Sequence, residues 1–261
     1  MADQGGSGTS KDTKQDDSTS SPYEQMPIME HLNELRTRII ISLVSIFVAF
    51  IIAFQYRDLV FDIVLRPYGP EFKPIVLDVT ERFLNYFKVS GAAGLVIASP
   101  MIVFQLLAFV APALLPHEKR YVYPVVPIIA FLFCIGVAFG YYAILPVSLN
   151  FLLSFGSDVI SNQIRLDRAI NFVTNICLAC GVVFQMPVVV FLLAKVGLAN
   201  DRFLIKQRKI SIVIIMILAA LLTPTPDPFT MMLVAVPMLL LYEISIIVAK
   251  FAAPKKKQED V

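Results

Sequence analysis

Six runs of apolar residues, separated by short polar segments, follow one another along the chain. Runs of this kind are typical of helices that cross a hydrocarbon core about 30 Å thick. The pattern predicts an all-α polytopic membrane protein with six transmembrane helices, at residues 39–54, 81–115, 121–145, 168–196, 210–222 and 229–248.

Polar segments flank the predicted membrane domain, which covers residues 26–250. Residues 1–25 consist largely of Gly, Ser, Thr, Asp and Lys, and they cannot bury enough apolar area to offset chain entropy. They are predicted to form a disordered polar tail. Residues 26–38 place apolar side chains on one helical face, which predicts an amphipathic helix in the membrane interface that runs into the first span. Residues 251–261 form a basic and then acidic tail.

Composition supports a membrane protein and limits its partners. Hydrophobic residues make up 57% of the chain and charged residues 16%, which is too apolar for a soluble domain. The net charge of +2 is too small to indicate a nucleic-acid partner. Of the 22 Lys and Arg residues, 14 lie on the side that holds both termini and 7 on the other, with Lys195 inside the fourth span. The positive-inside rule therefore predicts that both termini are cytoplasmic.

Local signals predict how the second span begins and bends. The charge-balanced segment 55–82 is predicted to be a structured loop. Asp78 followed by Glu81 is typical of a helix start, in which Asp78 caps free backbone amides and the Glu81 side chain reaches back to the capping residue. The helix would be roughly 55 Å long at 1.5 Å per residue, so its first turns must project from the membrane. Pro100 and Pro112 are expected to bend it.

Small residues predict a close contact in the third span. Gly136 and Gly140 are four residues apart, and such pairs allow helices to approach closely. Residues 146–167 are predicted to be a loop, and Asp167 is predicted to cap the fourth span.

The last two spans are predicted to be short. Residues 210–222 give only roughly 20 Å of helix, and residues 223–228 (TPTPDP) form a tight turn with three prolines. Asp227 is positioned to cap the last span, and Glu243 lies near the far end of that span.

Charged residues beside the membrane suggest a ligand site. The short polar segment between the second and third spans contains Glu118, Lys119 and Arg120. A carboxylate held at a membrane surface is a candidate receptor for an arginine-bearing ligand, because carboxylate and guanidinium form paired charge-assisted hydrogen bonds. The alternative is a solvated hairpin tip. Glu34 lies four residues before Arg38, so it either forms a local ion pair or faces a ligand.

An ordered set of motifs resembles the TatC family, the polytopic receptor subunits of the twin-arginine protein translocase. The matching segments are HLNELRTR at 31–38, ASPMIVFQLLAFVAPALLPHEKR at 98–120, FGYYAILP at 139–146, GVVFQMPV at 181–188, LLTPTPDP at 221–228 and AVPMLLLYE at 235–243. The resemblance covers nearly all of the chain outside its tails.

The resemblance implies both a function and a set of sites. It implies binding of the twin-arginine signal peptides of folded precursors on the cytoplasmic face, assembly with TatA- and TatB-like single-span subunits and with other TatC copies, and export driven by the proton-motive force across the bacterial inner membrane. It places signal-peptide contacts at Glu34, Arg36, Arg38, Phe109, Glu118 and Arg120. It places structural or partner contacts at Pro67, Gln185, Asp227 and Glu243.

The chain departs from the family pattern in two places. Gln185 stands where the family often has Glu, so this position offers no protonatable group, although its amide can still form hydrogen bonds. The TPTPDP turn is one residue longer than the common form, and Met231 stands where a Gln is frequent, which puts the polar partner-contact role of the turn in doubt.

Other functions lack the residues that they require. His31 and His117 are the only histidines, and the His117-Glu118 pair lacks the second histidine of a membrane zinc protease. No G-x-S-x-G motif is present. We therefore predict neither an enzyme nor a metal or other cofactor. Cys177 and Cys180 are expected to pack as small apolar residues. The alternative function is a multi-span secondary transporter or channel for a small solute. It would require ionisable groups at mid-membrane, and the chain has few.

Overall fold

The fold is an all-helical bundle built on long antiparallel helices. A computed structural model describes residues 28–110, 116–154, 163–195, 201–223 and 227–252. The helices are α1 Ile28–Gln55, α2 Arg57–Leu65, α3 Glu81–Val110, α4 Pro116–Phe139, α5 Leu145–Ser154, α6 Leu166–Val183, α7 Met186–Lys195, α8 Asp201–Lys206, α9 Arg208–Leu222 and α10 Pro228–Ala252. Within the described ranges the only strand-like pairing is one parallel bridge between Ile75 and Arg165.

Five helical segments of the described chain are long and apolar enough to cross a membrane: His31–Gln55, Glu81–Phe109, Val126–Ser154, Leu166–Lys195 and Pro228–Phe251. The all-helical membrane class is therefore as predicted. The predicted span that is not among these five is the fifth, residues 210–222, which corresponds to α9 with 15 residues. The last span is not short as predicted, because α10 has 25 residues. The six-span count stays a prediction.

α1 and α3 pack antiparallel along their lengths. A Cβ at Gly94 would lie 2.9 Å from the backbone nitrogen of Phe50, so the glycine permits close approach of the two helices. Phe50, Phe54 and Phe87 form an aromatic cluster near one end of the pair. We call this end of the bundle the far face, and the end with the first turn of α1 and the last turn of α3 the near face.

The segment before α3 contains more helix than the predicted loop. α2 and a 3₁₀ turn at Arg66–Tyr68 occupy its first half. α3 begins at Glu81, whose Oε2 accepts hydrogen bonds from the backbone N–H of Leu77 at 3.0 Å and of Asp78 at 3.4 Å. The reach-back contact is therefore as predicted. Glu81 also accepts a hydrogen bond from the backbone N–H of Asp167, which joins α3 to α6.

Pro100 lies inside α3, and the helix continues through it. Proline lacks the N–H that would bond to the carbonyl of Val96, four residues back. The Ser99 hydroxyl donates to that carbonyl at 2.7 Å instead, so the freed acceptor remains satisfied. Pro112 lies outside the described residues.

The prediction that the third span ends at Leu145 is wrong. A π turn at Gly140–Ile144, in which the N–H of Leu145 donates to the carbonyl of Gly140, leads directly into α5. The widened turn relieves the crowding that Pro146 would otherwise cause, so helix extends to Ser154.

The fourth span is broken, and Asp167 does not cap it. α6 ends at Val183, and α7 begins at Met186. Asp167 lies in the first turn of α6, where it forms an ion pair with Lys88 and accepts a hydrogen bond from Asn171. Its carboxylate therefore joins α6 to α3 through Lys88. The residue at the N-cap position of α6 forms no side-chain capping hydrogen bond.

The two predicted glycines do permit close packing against α6. A Cβ at Gly136 would lie 2.6 Å from the carbonyl oxygen of Cys180, and one at Gly140 would lie 3.1 Å from the Cys180 sulfur. Cys180 is buried in the main core, which also receives residues from α5, α9 and α10. The cysteines of this helix thus pack as apolar residues, as predicted.

The near face is closed by α8, α9 and α10. The Tyr242 hydroxyl donates to the carbonyl of Leu204 at 2.7 Å and accepts from Ser211 at 2.9 Å. Arg208 forms an ion pair with Glu243 at 2.7 Å. Glu243, one of the predicted structural residues, therefore links α10 to the start of α9.

Candidate functional site

The near face brings the first turns of α1 against the last turns of α3. The rings of His31 and Phe109 stack at 4.4 Å with an interplanar angle of 17°. Further into the bundle, Nη1 of Arg38 donates to Oε1 of Gln105 at 3.1 Å. These two contacts fix the register of the helices at this end and place Phe109 beside the helix that carries Glu34.

Glu34 forms a local ion pair with Arg38, one of the two alternatives for this spacing, and retains an additional acceptor. Nη2 of Arg38 lies 3.0 Å from Oε1 of Glu34, and the two side chains are only 29% and 20% exposed. Oε2 of Glu34 is buried and has no hydrogen-bond partner among the described residues, and Nδ1 of His31 lies 4.0 Å from it. A buried carboxylate oxygen without a donor is an electrostatically favourable position for a guanidinium.

Arg38 has a different role from Arg36 in this geometry. Arg38 bridges Glu34 on its own helix and Gln105 on α3, and Gln105 is only 4% exposed. Arg36 is exposed, with no ion pair to any residue that the structure describes. The structure therefore groups Glu34, Arg38 and Phe109 and leaves Arg36 at the surface.

Glu118 and Arg120 lie in the first turns of α4, which begins at Pro116. The backbone there is helical, so these charged residues belong to the start of α4. Proline is favoured at the first helical position, where its missing N–H has no intrahelical partner to lose. The side chains of Glu118 and Arg120, and residues 111–115, lie outside the described part of the molecule.

The predicted structural residues lie in three other places. Gln185 sits in the break between α6 and α7, where its amide nitrogen donates to the carbonyl of Ile129 at 3.2 Å. Asp227 caps α10, since its carboxylate accepts from the N–H of Thr230 at 2.7 Å, as predicted. Pro67 is part of the 3₁₀ turn on the far face, beside a cavity of about 530 Å³.

Sequence reasoning missed His31 and Gln105 as parts of the site. Gln105 is a polar residue inside the apolar run of α3 and lies four positions before Phe109. That spacing puts both on one helical face, which was a usable signal. The His31 contact depends on the packing of α1 against α3, which spacing alone does not give.

The residues that the structure describes contain no group of three or more His, Cys, Asp and Glu side chains able to hold a metal ion. The groups that define the site are instead a partly buried acid, a bridging arginine and an aromatic pair. Such a site suits recognition of a cationic, partly apolar segment.

Long apolar helices, a short α9 and a charged site at one end of the bundle define a polytopic membrane protein of receptor type. The family model described as Sec-independent protein translocase protein (TatC) matches residues 30–237. The chain therefore belongs to the TatC family. Membership makes it a component of a protein translocase rather than an enzyme, as predicted, and replaces the alternative of a small-solute transporter.

Relatives match over nearly their whole length. The TatC protein of Carboxydothermus hydrogenoformans is 40% identical over 232 residues, which are 88% of this chain and 96% of that protein. The TatC protein of Aquifex aeolicus is 40% identical over 238 residues, covering 89% and 98%. A crystal structure of the twin-arginine translocase receptor TatC superposes with a TM-score of 0.78 at 39% identity, covering 85% of this chain and 99% of that one.

Proposed function

We propose that this chain binds twin-arginine signal peptides of folded precursors through the acids of its near face. The observation that carries the proposal is the free, buried Oε2 of Glu34, because Arg38 already occupies Oε1. One guanidinium of the ligand binds Oε2, and the second binds Glu118 at the start of α4. Phe109, held by His31, offers an apolar surface to the residues that follow the two arginines.

The basic residues of the site have distinct roles in this proposal. Arg38 holds Glu34 in place through Oε1 and leaves Oε2 to the ligand. Arg36, on the exposed side of α1, and Arg120, two residues after Glu118, contact acceptor groups of the signal peptide. A ligand with two lysines binds less well, because a lysine cannot form the planar paired hydrogen bonds of a guanidinium.

The charge distribution and the family support the orientation and the partners in this proposal. The near face lies in the cytoplasm with both termini, six helices cross the bacterial inner membrane, and α9 is the short fifth span. TatA- and TatB-like single-span subunits and further copies of the chain assemble with it, and the proton-motive force drives export. Pro67, Gln185, Asp227 and Glu243 maintain the structure to which these partners bind.

Site-specific photocrosslinking tests the proposal. A photoreactive residue at Leu32, which is 54% exposed on the near-face turns of α1, is expected to capture a precursor with an Arg-Arg signal and not its Lys-Lys variant. A probe at Glu118 is expected to do the same. Ile51 is a matched control, because it is 53% exposed on the same helix but lies near the far face.

The proposal fails if Leu32 and Ile51 capture the precursor equally, or if the Lys-Lys variant is captured as well as the Arg-Arg signal. The substitution Glu34→Ala is expected to lower capture of the precursor by the probe at Leu32 and by the probe at Glu118, because one of the two carboxylates that bind the ligand is removed.

A further inference from the structure

The far face contains a cavity that the signal-peptide proposal does not use. It has a volume of about 530 Å³, within the range of small-molecule sites, and is lined by Ile63, Arg66, Pro67, Tyr141, Tyr142 and Pro146. A hydrogen bond from the Tyr141 hydroxyl to the carbonyl of Ile63, at 2.7 Å, joins its two walls. One wall is the end of α2 with the 3₁₀ turn that follows it, and the other is the π turn with the start of α5.

Helix length places this cavity at the level of lipid headgroups. Tyr142 lies 22 residues after Arg120 along one continuous helical segment, which is about 33 Å at 1.5 Å per residue. That distance matches a hydrocarbon core of about 30 Å, so Tyr142 lies at the opposite interface from Arg120. Tyr142 is 77% exposed and Tyr56, at the end of α1, is 62% exposed, as expected for an interfacial aromatic belt.

Two opposite charges lie at this level without contacting each other. Asp62 and Arg66 are four residues apart, a spacing at which an acid and an arginine on a helix usually pair. Neither side chain forms an ion pair or hydrogen bond with any residue in the described ranges. Arg66 borders both the first cavity and an adjoining one of about 690 Å³, and Asp62 borders only the second.

We propose that the two cavities bind one phospholipid with an ethanolamine headgroup. The guanidinium of Arg66, assisted by the Tyr142 hydroxyl, binds the phosphate, and the carboxylate of Asp62 accepts hydrogen bonds from the ammonium. Asp62 disfavours an anionic headgroup such as phosphatidylglycerol. Phosphatidylcholine has no N–H group that could donate a hydrogen bond to the Asp62 carboxylate. In the proposed orientation this lipid belongs to the outer leaflet, and it supports the turn that contains Pro67.

Native mass spectrometry of the purified full-length protein tests the site. The protein is incubated with phosphatidylethanolamine, phosphatidylglycerol or phosphatidylcholine of identical acyl chains, and retained lipid is counted. We expect the wild type to retain phosphatidylethanolamine best. Arg66→Gln is expected to lower its retention by about tenfold, because a charge-assisted contact is lost. Asp62→Asn is expected to reduce its retention to that of phosphatidylcholine.

Arg57→Gln is the matched control, because Arg57 is a neighbouring interfacial arginine that lies over the Phe54 ring and does not border either cavity. Its lipid retention is expected to equal that of the wild type. Circular dichroism checks that all variants remain helical. Unchanged retention in Arg66→Gln, an equal loss in Arg57→Gln, equal retention of the three lipids by the wild type, or displacement of the lipid by inorganic phosphate would each overturn the proposal.

Discussion

Replacing Gln105 with Met is expected to weaken signal-peptide binding even though Gln105 need not touch the ligand. Methionine has nearly the same volume, so packing in α3 changes little. It removes the acceptor that holds Nη1 of Arg38 at 3.1 Å. Oε2 of Glu34, which belongs to the carboxylate that Arg38 already contacts, has no partner, and a bidentate pair with Arg38 would fill the oxygen that we assign to the ligand.

The structure sets the size of the effect. A hydrogen bond to a charged group contributes about 1.5–3 kcal/mol, and the ligand must displace one such bond in the variant. Arg38 and Glu34 are 29% and 20% exposed, so solvent weakens the pair and the lower end of that range applies. A penalty of about 1.4 kcal/mol corresponds to about a tenfold loss of affinity.

The assay is binding of a fluorescent Arg-Arg signal peptide to the purified protein in detergent, with the thermal unfolding midpoint measured in parallel. Gln105→Glu is the control, because it keeps an acceptor for Arg38 at the same position. It is expected to retain wild-type affinity within about threefold, less than 1 kcal/mol. Affinity in Gln105→Met equal to the wild type would refute the competition between Arg38 and the ligand, and an equal loss in Gln105→Glu would point to packing instead.

Three further pairs of variants test other parts of the molecule. Glu118→Lys is expected to lower signal-peptide affinity more than Glu118→Ala, because it adds repulsion to the lost pair; equal affinities would remove Glu118 from the site. Gln185→Leu is expected to impair export of a folded precursor without affecting signal binding, and Gln185→Glu to be tolerated. Gly136→Ala is expected to destabilise the protein by about 1–3 kcal/mol in thermal unfolding, whereas Gly91→Ala, which meets nothing within 4 Å, is not.

Features governed by local rules could be predicted from the sequence. The all-helical membrane class follows from the length of the apolar runs. The caps formed by Glu81 and Asp227 involve contacts within four residues. Gly136 and Gly140 lie on one helical face by their spacing alone, and the close approach follows from their lack of a side chain.

Features governed by distant contacts or by exceptions to local rules could not be predicted. Pro146 usually marks a helix end, but a π turn just before it lets the helix continue. Asp167 has the composition of a cap, yet its carboxylate contacts Lys88, 79 residues earlier in the chain. Gln105 gains its role only because α1 packs antiparallel to α3 and brings Arg38 beside it.

The short α9 permits a test of how the proposed receptor acts on the membrane. Its 15 residues span about 22 Å, less than a hydrocarbon core of about 30 Å. If α9 crosses the bilayer, the lipid beside it must thin, or a neighbouring helix must cover its end. We expect single-span partner subunits to gather at this thin edge once a precursor is bound.

Inserting four leucines after Ile217 lengthens α9 to about 28 Å and adds about one turn, so Thr223 keeps nearly the same face. We expect the variant to retain signal-peptide crosslinking at Leu32, on the distant first turns of α1, but to lose export of a folded precursor. A variant without the insertion, in which the four exposed residues Ile212, Val213, Ile214 and Ile217 are leucine, controls for composition and is expected to export normally. If the insertion variant crosslinks to its partners and exports at the wild-type rate, the length of α9 is incidental to transport, because restoring it removed the mismatch without removing the function.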